Sequence, residues 1–364
     1  MTVITCIEDL RRLAKRRVPR MFYDMVDSGS SSETTYRANE TDFARIKLRQ
    51  RVAVDVSQRS LHSRMIGEVV SMPVALAPAG LAGTQHADGE ILAARAAAEF
   101  GVPFTLSTMS ICSIEEVAAR SPAPFWFQLY VMRDRSFTES LIKRAKAARC
   151  PALMLTLDLP IFARRHKDIR NGVSSSWLTA RNVFHIACRP RWAIGMAAKP
   201  PRPFGNMAGK AGNFELDESL SWKDIEWVRR LWHGKLILKG IMDLADAKQA
   251  VTYGADAVVV SNHGGRQLDG APSSISALPN IADAVGDRIE VWMDGGIRHG
   301  QDVFKALALG ARGTLIGRAY LYGLGAAGKA GVTKSLKLIR GELDITMALC
   351  GKRQIQDIDR DSLL

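Results

Sequence analysis

From residue 73 onward, short apolar runs recur along the chain at a regular spacing. Eight of them read as strands: Val74–Ala77, Phe104–Leu106, Phe125–Tyr130, Leu153–Leu157, Leu236–Leu238, Ala257–Val260, Val291–Met293 and Thr314–Ile316. They are nearly continuous in apolar residues, the pattern of strands covered on both faces. Most gaps hold helix-like segments, including Asp88–Phe100, Ser113–Ala119, Phe137–Ala148, Leu244–Tyr253 and Gly300–Leu309. Ser113 and Glu116 have capping-box spacing, which predicts a helix start there. The alternation predicts an α/β fold, a (β/α)8 TIM barrel, with residues 1–364 forming one domain. Ahead of it, Ile7, Leu10, Leu13 and Ala14 share a helical face, and Pro19 ends that helix. Met21–Val26 then resumes an apolar run, and residues 28–42 read as a polar loop or helix start. One gap breaks the rhythm. It runs from about Pro160 to Lys235, after the fourth strand, and implies a long insert at about 170–215.

Each predicted strand ends in polar or glycine residues. These are Ala77-Pro78-Ala79-Gly80, Ser107-Thr108, Gln128 with Tyr130, Thr156 with Asp158, Lys239-Gly240, Ser261 to Arg266, Asp294-Gly295-Gly296, and Gly317-Arg318. One or two could be turn chemistry. Eight on one rim point to a ligand site, because that rim is where such barrels carry catalysis. The richest stretch is Ser-Asn-His-Gly-Gly-Arg-Gln-Leu-Asp-Gly at 261–270. His263 has an unperturbed pKa of ~6.5, suited to proton abstraction near neutrality. Arg266 offers a fork of donors that matches a carboxylate. Gly264 and Gly265 let the backbone approach a ligand or take positive φ. A base and a carboxylate clamp on one loop suggest chemistry at a carbon beside a carboxylate. After the last two strands, Asp294–Arg298 and Gly313–Arg318 combine glycine N–H groups with arginine, which suits a phosphate.

Composition narrows the class. The 364 residues are 47% hydrophobic and 24% charged, as in a globular protein with a large core. No apolar run of about 18 residues predicts a spanning helix. Glu8 and Asp9 interrupt the N-terminus and no apolar signal core follows, so secretion is not expected. Five scattered cysteines, Cys6, Cys112, Cys150, Cys188 and Cys350, form no CxxC pair, which predicts reduced thiols, a cytoplasmic protein and no metal site. The net charge of +13 is concentrated: residues 164–212 hold ten Lys/Arg and one acid, Asp168. No helix-turn-helix, zinc-finger or RNP signature accompanies it, so nucleic acid is not expected as a partner. In the same stretch Trp177-Leu178, Val183-Phe184, Ile186 and Trp192–Met196 mix apolar side chains with bases before Pro200-Pro201-Arg202-Pro203. This reads either as a solvated excursion or as an interfacial segment drawn to anionic lipid.

Taken in order, Ala-Pro-Ala-Gly at 77–80, Leu-Ser-Thr at 106–108, Phe-Gln-Leu-Tyr at 127–130, Leu-Thr-Leu-Asp at 155–158, the 261–270 stretch and Asp-Gly-Gly-Ile-Arg at 294–298 make the chain resemble the FMN-dependent 2-hydroxy-acid dehydrogenase/oxidase family. The resemblance covers nearly the whole chain. Pro-Phe-Gly-Asn at 203–206, Ser-Trp-Lys-Asp-Ile-Glu-Trp at 221–227 and the stretch 107–116 look most like its bacterial respiratory L-lactate dehydrogenase branch. The resemblance implies FMN as cofactor and oxidation of an L-2-hydroxy acid, with L-lactate favoured. By it, His263 would accept the substrate α-proton and Asp158 would stabilise the imidazolium. Arg165 and Arg266 would hold the carboxylate, with Tyr23 and Tyr130 at the carboxylate or hydroxyl. Ala77, Pro78, Ala79, Ser107, Gln128, Thr156, Lys239 and Ser261 would contact FMN, Lys239 favouring negative charge near the flavin N1–C2 carbonyl. Asp294, Gly295, Gly296, Arg298, Gly317 and Arg318 would hold its ribityl phosphate. The resemblance also implies a homotetramer.

Departures from the family pattern shape the expected activity. Gly80 stands where the plant glycolate oxidase pattern has Ala, and by the resemblance glycine goes with dehydrogenases that react slowly with oxygen. Met109 replaces the Trp of that oxidase's active-site loop, and its flexibility suits several substrate sizes. No haem domain precedes the barrel, so electrons would pass to a separate acceptor. The basic, aromatic insert points to a membrane quinone and to a cytoplasmic protein lying on the inner face of the cell membrane. Three other readings stand beside this one: a soluble oxidase producing hydrogen peroxide, a non-catalytic flavin-binding barrel, and a nucleotide-dependent barrel dehydrogenase. Gly80 argues against the first, and the set His263, Asp158, Arg165 and Arg266 against the second. The third would want a catalytic cysteine in a barrel loop.

Overall fold

The computed structural model describes residues 3–172, 179–198, 204–207 and 215–364. A short antiparallel hairpin, β1 (Ser63–Met65) and β2 (Glu68–Val70), comes first. The barrel strands are β3 (Val74–Leu76), β4 (Thr105–Ser107), β5 (Trp126–Leu129), β6 (Ala152–Thr156), β7 (Lys235–Ile241), β8 (Ala257–Val260), β9 (Glu290–Met293) and β10 (Gly313–Ile316). They run parallel in the order β3-β10-β9-β8-β7-β6-β5-β4, and a bridge between Leu76 and Phe104 closes the ring. The eight strands fall where the apolar runs predict them, with ends shifted by a few residues. This is a (β/α)8 barrel.

Alternation along each strand builds two apolar layers. Val74, Leu76, Leu153, Leu155, Leu236, Leu238, Val258 and Val260 face the surrounding helices. Ala75, Ala77, Ala152, Met154, Ile237, Ala257, Val259 and Leu315 fill the interior. Trp126 and Trp292 stack there at 5.2 Å and 11°, and Met65, Ile66 and Val70 of the hairpin join the same cluster. The hairpin is tied in place: Ile66 N–H donates to Glu290, whose carboxylate also accepts from Trp292 Nε1 at 2.9 Å. Its turn residues Ile66 (φ 51°) and Gly67 (φ 88°) both have positive φ, the tight-turn conformation that matches strand twist. The sequence reading missed this hairpin because isoleucine is an unusual occupant of that position.

The N-terminal helices, α1 (Ile7–Arg17), α2 (Arg20–Val26) and α3 (Thr34–Arg45), match the expected segment. Ile7, Leu10 and Ala14 are buried, and α1 packs along the C-terminal helical stretch Arg318–Leu349, which breaks at Ala327 and Gly328. Between β6 and β7 the described part of the insert contains helices His166–Arg170, Ala180–Ala187 and Pro190–Ala197. Trp177, Leu178, Pro200, Pro201, Arg202 and Pro203 lie outside the described residues. Asn182 Nδ2 donates to the Asn171 carbonyl at 2.9 Å, and Asn171 Nδ2 to Asp24 of α2 at 3.0 Å, so the insert is moored to the N-terminal helices.

Because Trp292 fills the barrel interior, Trp292→Ala should lower unfolding free energy by roughly 3–5 kcal/mol. Urea denaturation followed by circular dichroism measures this. A loss below about 1 kcal/mol would mean that the interior layer is not close-packed.

Candidate active site

The C-terminal ends of the barrel strands open into a cavity of about 840 Å3, within the usual range for cofactor sites. His263 lines it, and its Nδ1 lies 2.8 Å from Asp158 Oδ1. The two come from the ends of β8 and β6. Their meeting depends on Gly240 in β7, between them: a Cβ there would fall 2.6 Å from Asp158 Cβ, and its φ of +103° suits glycine. His263 (φ 58°), Gly264 (φ 66°) and Gly265 (φ 71°) form three successive left-handed residues. Strain of this kind in a non-glycine residue is held only where surroundings fix it. Asn262 does so, exchanging paired 2.8 Å hydrogen bonds with Asn39 of α3 and accepting from Gly265 N–H at 3.0 Å.

Burial raises the Asp158 carboxyl, but His263 and then Lys239 outweigh it and hold the carboxyl below its usual range. An ionised Asp158 accepts from Nδ1–H, which leaves the Nε2 lone pair as the free base. Burial pulls the His263 pKa below its ordinary value, against the upward push of Asp158. Tyr130 also lines the cavity; burial and the charge of Asp158 raise its phenol, so it remains a neutral donor.

Positive charge is the dominant electrostatic feature. Arg165, Arg266 and Arg318 line the same cavity. Arg266 donates to the Met25 and Ser28 carbonyls at 2.7 and 3.0 Å, and the carboxylate of Asp168 stands 4.0 Å away. Arg165 donates to the Arg266 carbonyl at 3.2 Å. Burial, then the charges of Arg165 and Arg318, pulls the Arg266 pKa well below its usual range, and burial lowers that of Arg165. Guanidinium groups stay protonated in proteins, so such crowding favours an incoming anion.

Lys239 and Asp294, which line the cavity, connect it to a buried polar layer; Ser107, Gln128, Thr156 and Ser261 belong to that layer and are not themselves among the lining residues. Ser107 Oγ donates to Gln128 Oε1 at 2.9 Å, while Gln128 Nε2 and Thr156 Oγ1 are buried without partners. Lys239 Nζ lies 2.7 Å from Ser261 Oγ and 3.0 Å from Asp294 Oδ2, with Asp294 Oδ1 also unpartnered. Burial opposes the charge on Lys239, yet Asp294 and Asp158 keep its pKa raised. Unsatisfied buried donors and acceptors are rare and require an explanation. A flavin ring edge, which carries both carbonyls and N–H, fits this set. At the other end Gly295 (φ 96°), Gly296 (φ 85°) and Gly317 bring backbone to the cavity beside Arg298 and Arg318. That end fits a phosphate. Ala77, Pro78 and Ala79 form the adjoining wall.

Tyr23 is placed differently from the expectation. It does not line the cavity; its hydroxyl donates to Asp27 Oδ2 at 3.0 Å. Met25 lines the cavity instead. In the run Met21–Val26 both Tyr23 and Met25 are buried, so hydrophobicity cannot say which side chain reaches the rim. Asp27 is a hub that the sequence reading missed. Arg11 donates to both its oxygens at 3.1 and 3.0 Å, and Tyr36 and Tyr322 donate to Oδ1 at 3.3 and 2.6 Å. The Arg318 guanidinium lies 4.5 Å over the Tyr36 ring, and that of Arg298 lies 5.9 Å over Tyr322. One carboxylate thus fixes the two rings against which the phosphate-side arginines rest. Phe162 and Leu321 are further lining residues without a sequence signal.

Fold and site together define a flavin-dependent oxidoreductase acting on a small anion. The FMN-dependent dehydrogenase family model matches residues 14–364, and the chain belongs to that family. It is 48% identical to an L-lactate dehydrogenase of Caulobacter vibrioides, covering 99% of this chain and 98% of that one. An L-lactate dehydrogenase of Actinobacillus pleuropneumoniae is 46% identical, covering 100% and 98%. Among solved structures, the monotopic membrane protein (S)-mandelate dehydrogenase superposes with a TM-score of 0.95 at 35% identity, with both chains fully covered. The protein is an FMN-dependent dehydrogenase and FMN is its cofactor.

The hub makes Asp27→Asn costly to cofactor binding: FMN dissociation, read from flavin fluorescence, should become about tenfold easier. Tyr23→Phe should shift it in the same direction while leaving the substrate KM unchanged; a raised KM alone would return Tyr23 to the substrate site. For the base, kcat/KM should stay level through neutral pH and fall in acid below the ordinary histidine pKa, as His263 protonates. Asp158→Asn removes an upward push, so the acid limb should move to lower pH while the plateau drops. A limb that moves upward would contradict the pairing.

Proposed function

We propose that the chain oxidises an L-2-hydroxy acid, L-lactate being favoured, to the 2-oxo acid and passes the electrons to a membrane quinone. The observation that carries this reading is the His263–Asp158 pair beside the same cavity as the half-buried Arg165–Arg266 clamp. The relatives named L-lactate dehydrogenase support the choice of lactate. Arg165 and Arg266 bind and orient the substrate carboxylate, releasing donors that now serve backbone carbonyls. Tyr130 donates to the bound substrate from its buried position. The oxidation removes two electrons and two protons; His263 Nε2 takes one of those protons, and the other would pass with the electrons to the acceptor. Asp158 keeps the ring oriented through Nδ1 and balances the imidazolium that results. FMN, when bound, supplies the two-electron acceptor. Gln128, Thr156, Lys239 and Asp294 would hold its ring system and ribityl chain, with Arg298, Arg318 and the glycines at its phosphate. Lys239, kept charged in the polar layer, favours negative charge accumulating there.

Peripheral membrane attachment belongs to the same reading. No helix among the described residues is long and apolar enough to cross a membrane. The insert nevertheless exposes Val183, Phe184 and Ile194 at 50%, 65% and 69%. A structural neighbour is named a monotopic membrane protein, which supports an interfacial role for these helices.

Anaerobic mixing of the yellow holoenzyme with L-lactate, glycolate or L-mandelate tests the function directly. Flavin absorbance should bleach, fastest with L-lactate, and return slowly in air but quickly with a quinone. Rapid return in air with peroxide would make the protein an oxidase. Absence of bleaching with every 2-hydroxy acid would overturn the substrate class.

A further inference from the structure

A second cavity, of about 350 Å3, opens where the C-terminal end of α1 meets Gln85–Ala87, the helix Pro190–Ala197 and the break in Arg318–Leu349. The chemistry above makes no use of it. Arg16, Arg17, Arg189 and Arg191 line it together with His86 and Trp192, and among the described residues no acidic side chain does. Its framework is fixed. Trp192 stacks on Phe22 of α2 at 5.2 Å, and its indole N–H donates to the Thr84 carbonyl at 2.9 Å. Arg17 donates to the Ala326 carbonyl. Arg189 reaches the Cys188 carbonyl at 3.1 Å through one terminal nitrogen, while its Nε is buried with no partner. Four guanidinium groups around one recess, without a counter-charge among its walls, attract an anion. A buried donor without an acceptor asks for one in the same place.

The neighbourhood says which anion. The arginines Arg189 and Arg191 flank the start of Pro190–Ala197, the helix that exposes Ile194, and the adjoining helix Ala180–Ala187 exposes Val183 and Phe184. Apolar side chains beside a basic recess match the two layers of a membrane surface, acyl chains and phosphates. We propose that this cavity receives the phosphate of an anionic phospholipid headgroup, held by Arg189 with Arg16 and Arg191 while the insert helices rest on the bilayer. The proposal rests on the peripheral attachment proposed above and adds to it a headgroup class and a site. A free phosphate ion shares the same chemistry, so the test separates the two sources.

The FMN-loaded full chain is mixed, in phosphate-free buffer at moderate salt, with vesicles of phosphatidylglycerol or of phosphatidylcholine, and bound protein is measured by flotation. The wild type should favour phosphatidylglycerol. Arg189→Gln with Arg191→Gln should reduce that preference by about tenfold or more, given the contribution of each cation near an anionic surface. Lys143→Gln with Lys146→Gln removes the same charge from exposed positions of the barrel helix Arg135–Ala147 and should leave the preference near the wild-type value. Far-ultraviolet circular dichroism checks that both variants fold. Equal losses in the two variants would reduce the effect to general charge attraction and overturn the site. Equal binding of both vesicles by the wild type would also overturn it, even with membrane attachment intact. Inorganic phosphate binding lost in Arg189→Gln/Arg191→Gln, together with that equal vesicle binding, would assign the recess to a free anion. Failure to bind either vesicle would bring down the attachment itself.

Discussion

The hydrogen bond between His263 Nδ1 and Asp158 Oδ1, 2.8 Å long, is the contact on which the rest of the site depends. It joins residues 105 positions apart in sequence, and it exists only because β6, β7 and β8 lie side by side in register. The intervening strand must yield space, which Gly240 provides. The loop must hold a histidine at positive φ, which Asn262 and Asn39 enforce. The bond then selects the tautomer and leaves one nitrogen free as base. A barrel in any other register would contain the same residues and no base.

Positive charge organises the surroundings of that bond. The rim gathers Arg165, Arg266 and Arg318 and gives them mostly carbonyls as partners, so each retains capacity for an anion. Nearby, the carboxylate of Asp27 is committed to other partners. Burial would raise it, but Arg11 and Tyr322 keep it below its usual range, and it spends its acceptors on Arg11 and three tyrosines. The N-terminal helices are therefore part of the active site. They supply Met25 to its wall and Asp27 to the support of its phosphate end.

The same economy of charge recurs at the insert. Helices Ala180–Ala187 and Pro190–Ala197 expose apolar side chains beside Arg189 and Arg191, whose cavity has no acid among its described lining residues. A solvated loop would carry compensating acids or fewer apolar groups. One fold thus places an anion-seeking cavity at the barrel rim and another beside the N-terminal helix.

The sequence by itself determined the strands, the order of the barrel and most of the rim. Those features are local: a continuous apolar run, a glycine or a His–Gly–Gly–Arg loop carries its meaning within a few residues. Lys239, Gln128 and Thr156 could be located in this way because each sits at a strand end. Tertiary structure alone decided what those residues face. It turned Tyr23 to Asp27 and Met25 to the cavity, a choice that the apolar pattern of the helix does not encode. It placed Ile66 in a left-handed turn because Glu290 and the tryptophan pair lock the hairpin beneath the barrel. It brought Arg16 to Arg189 across most of the N-terminal half of the barrel. Burial and charge act through space, so partners distant in sequence were settled only when the ring closed.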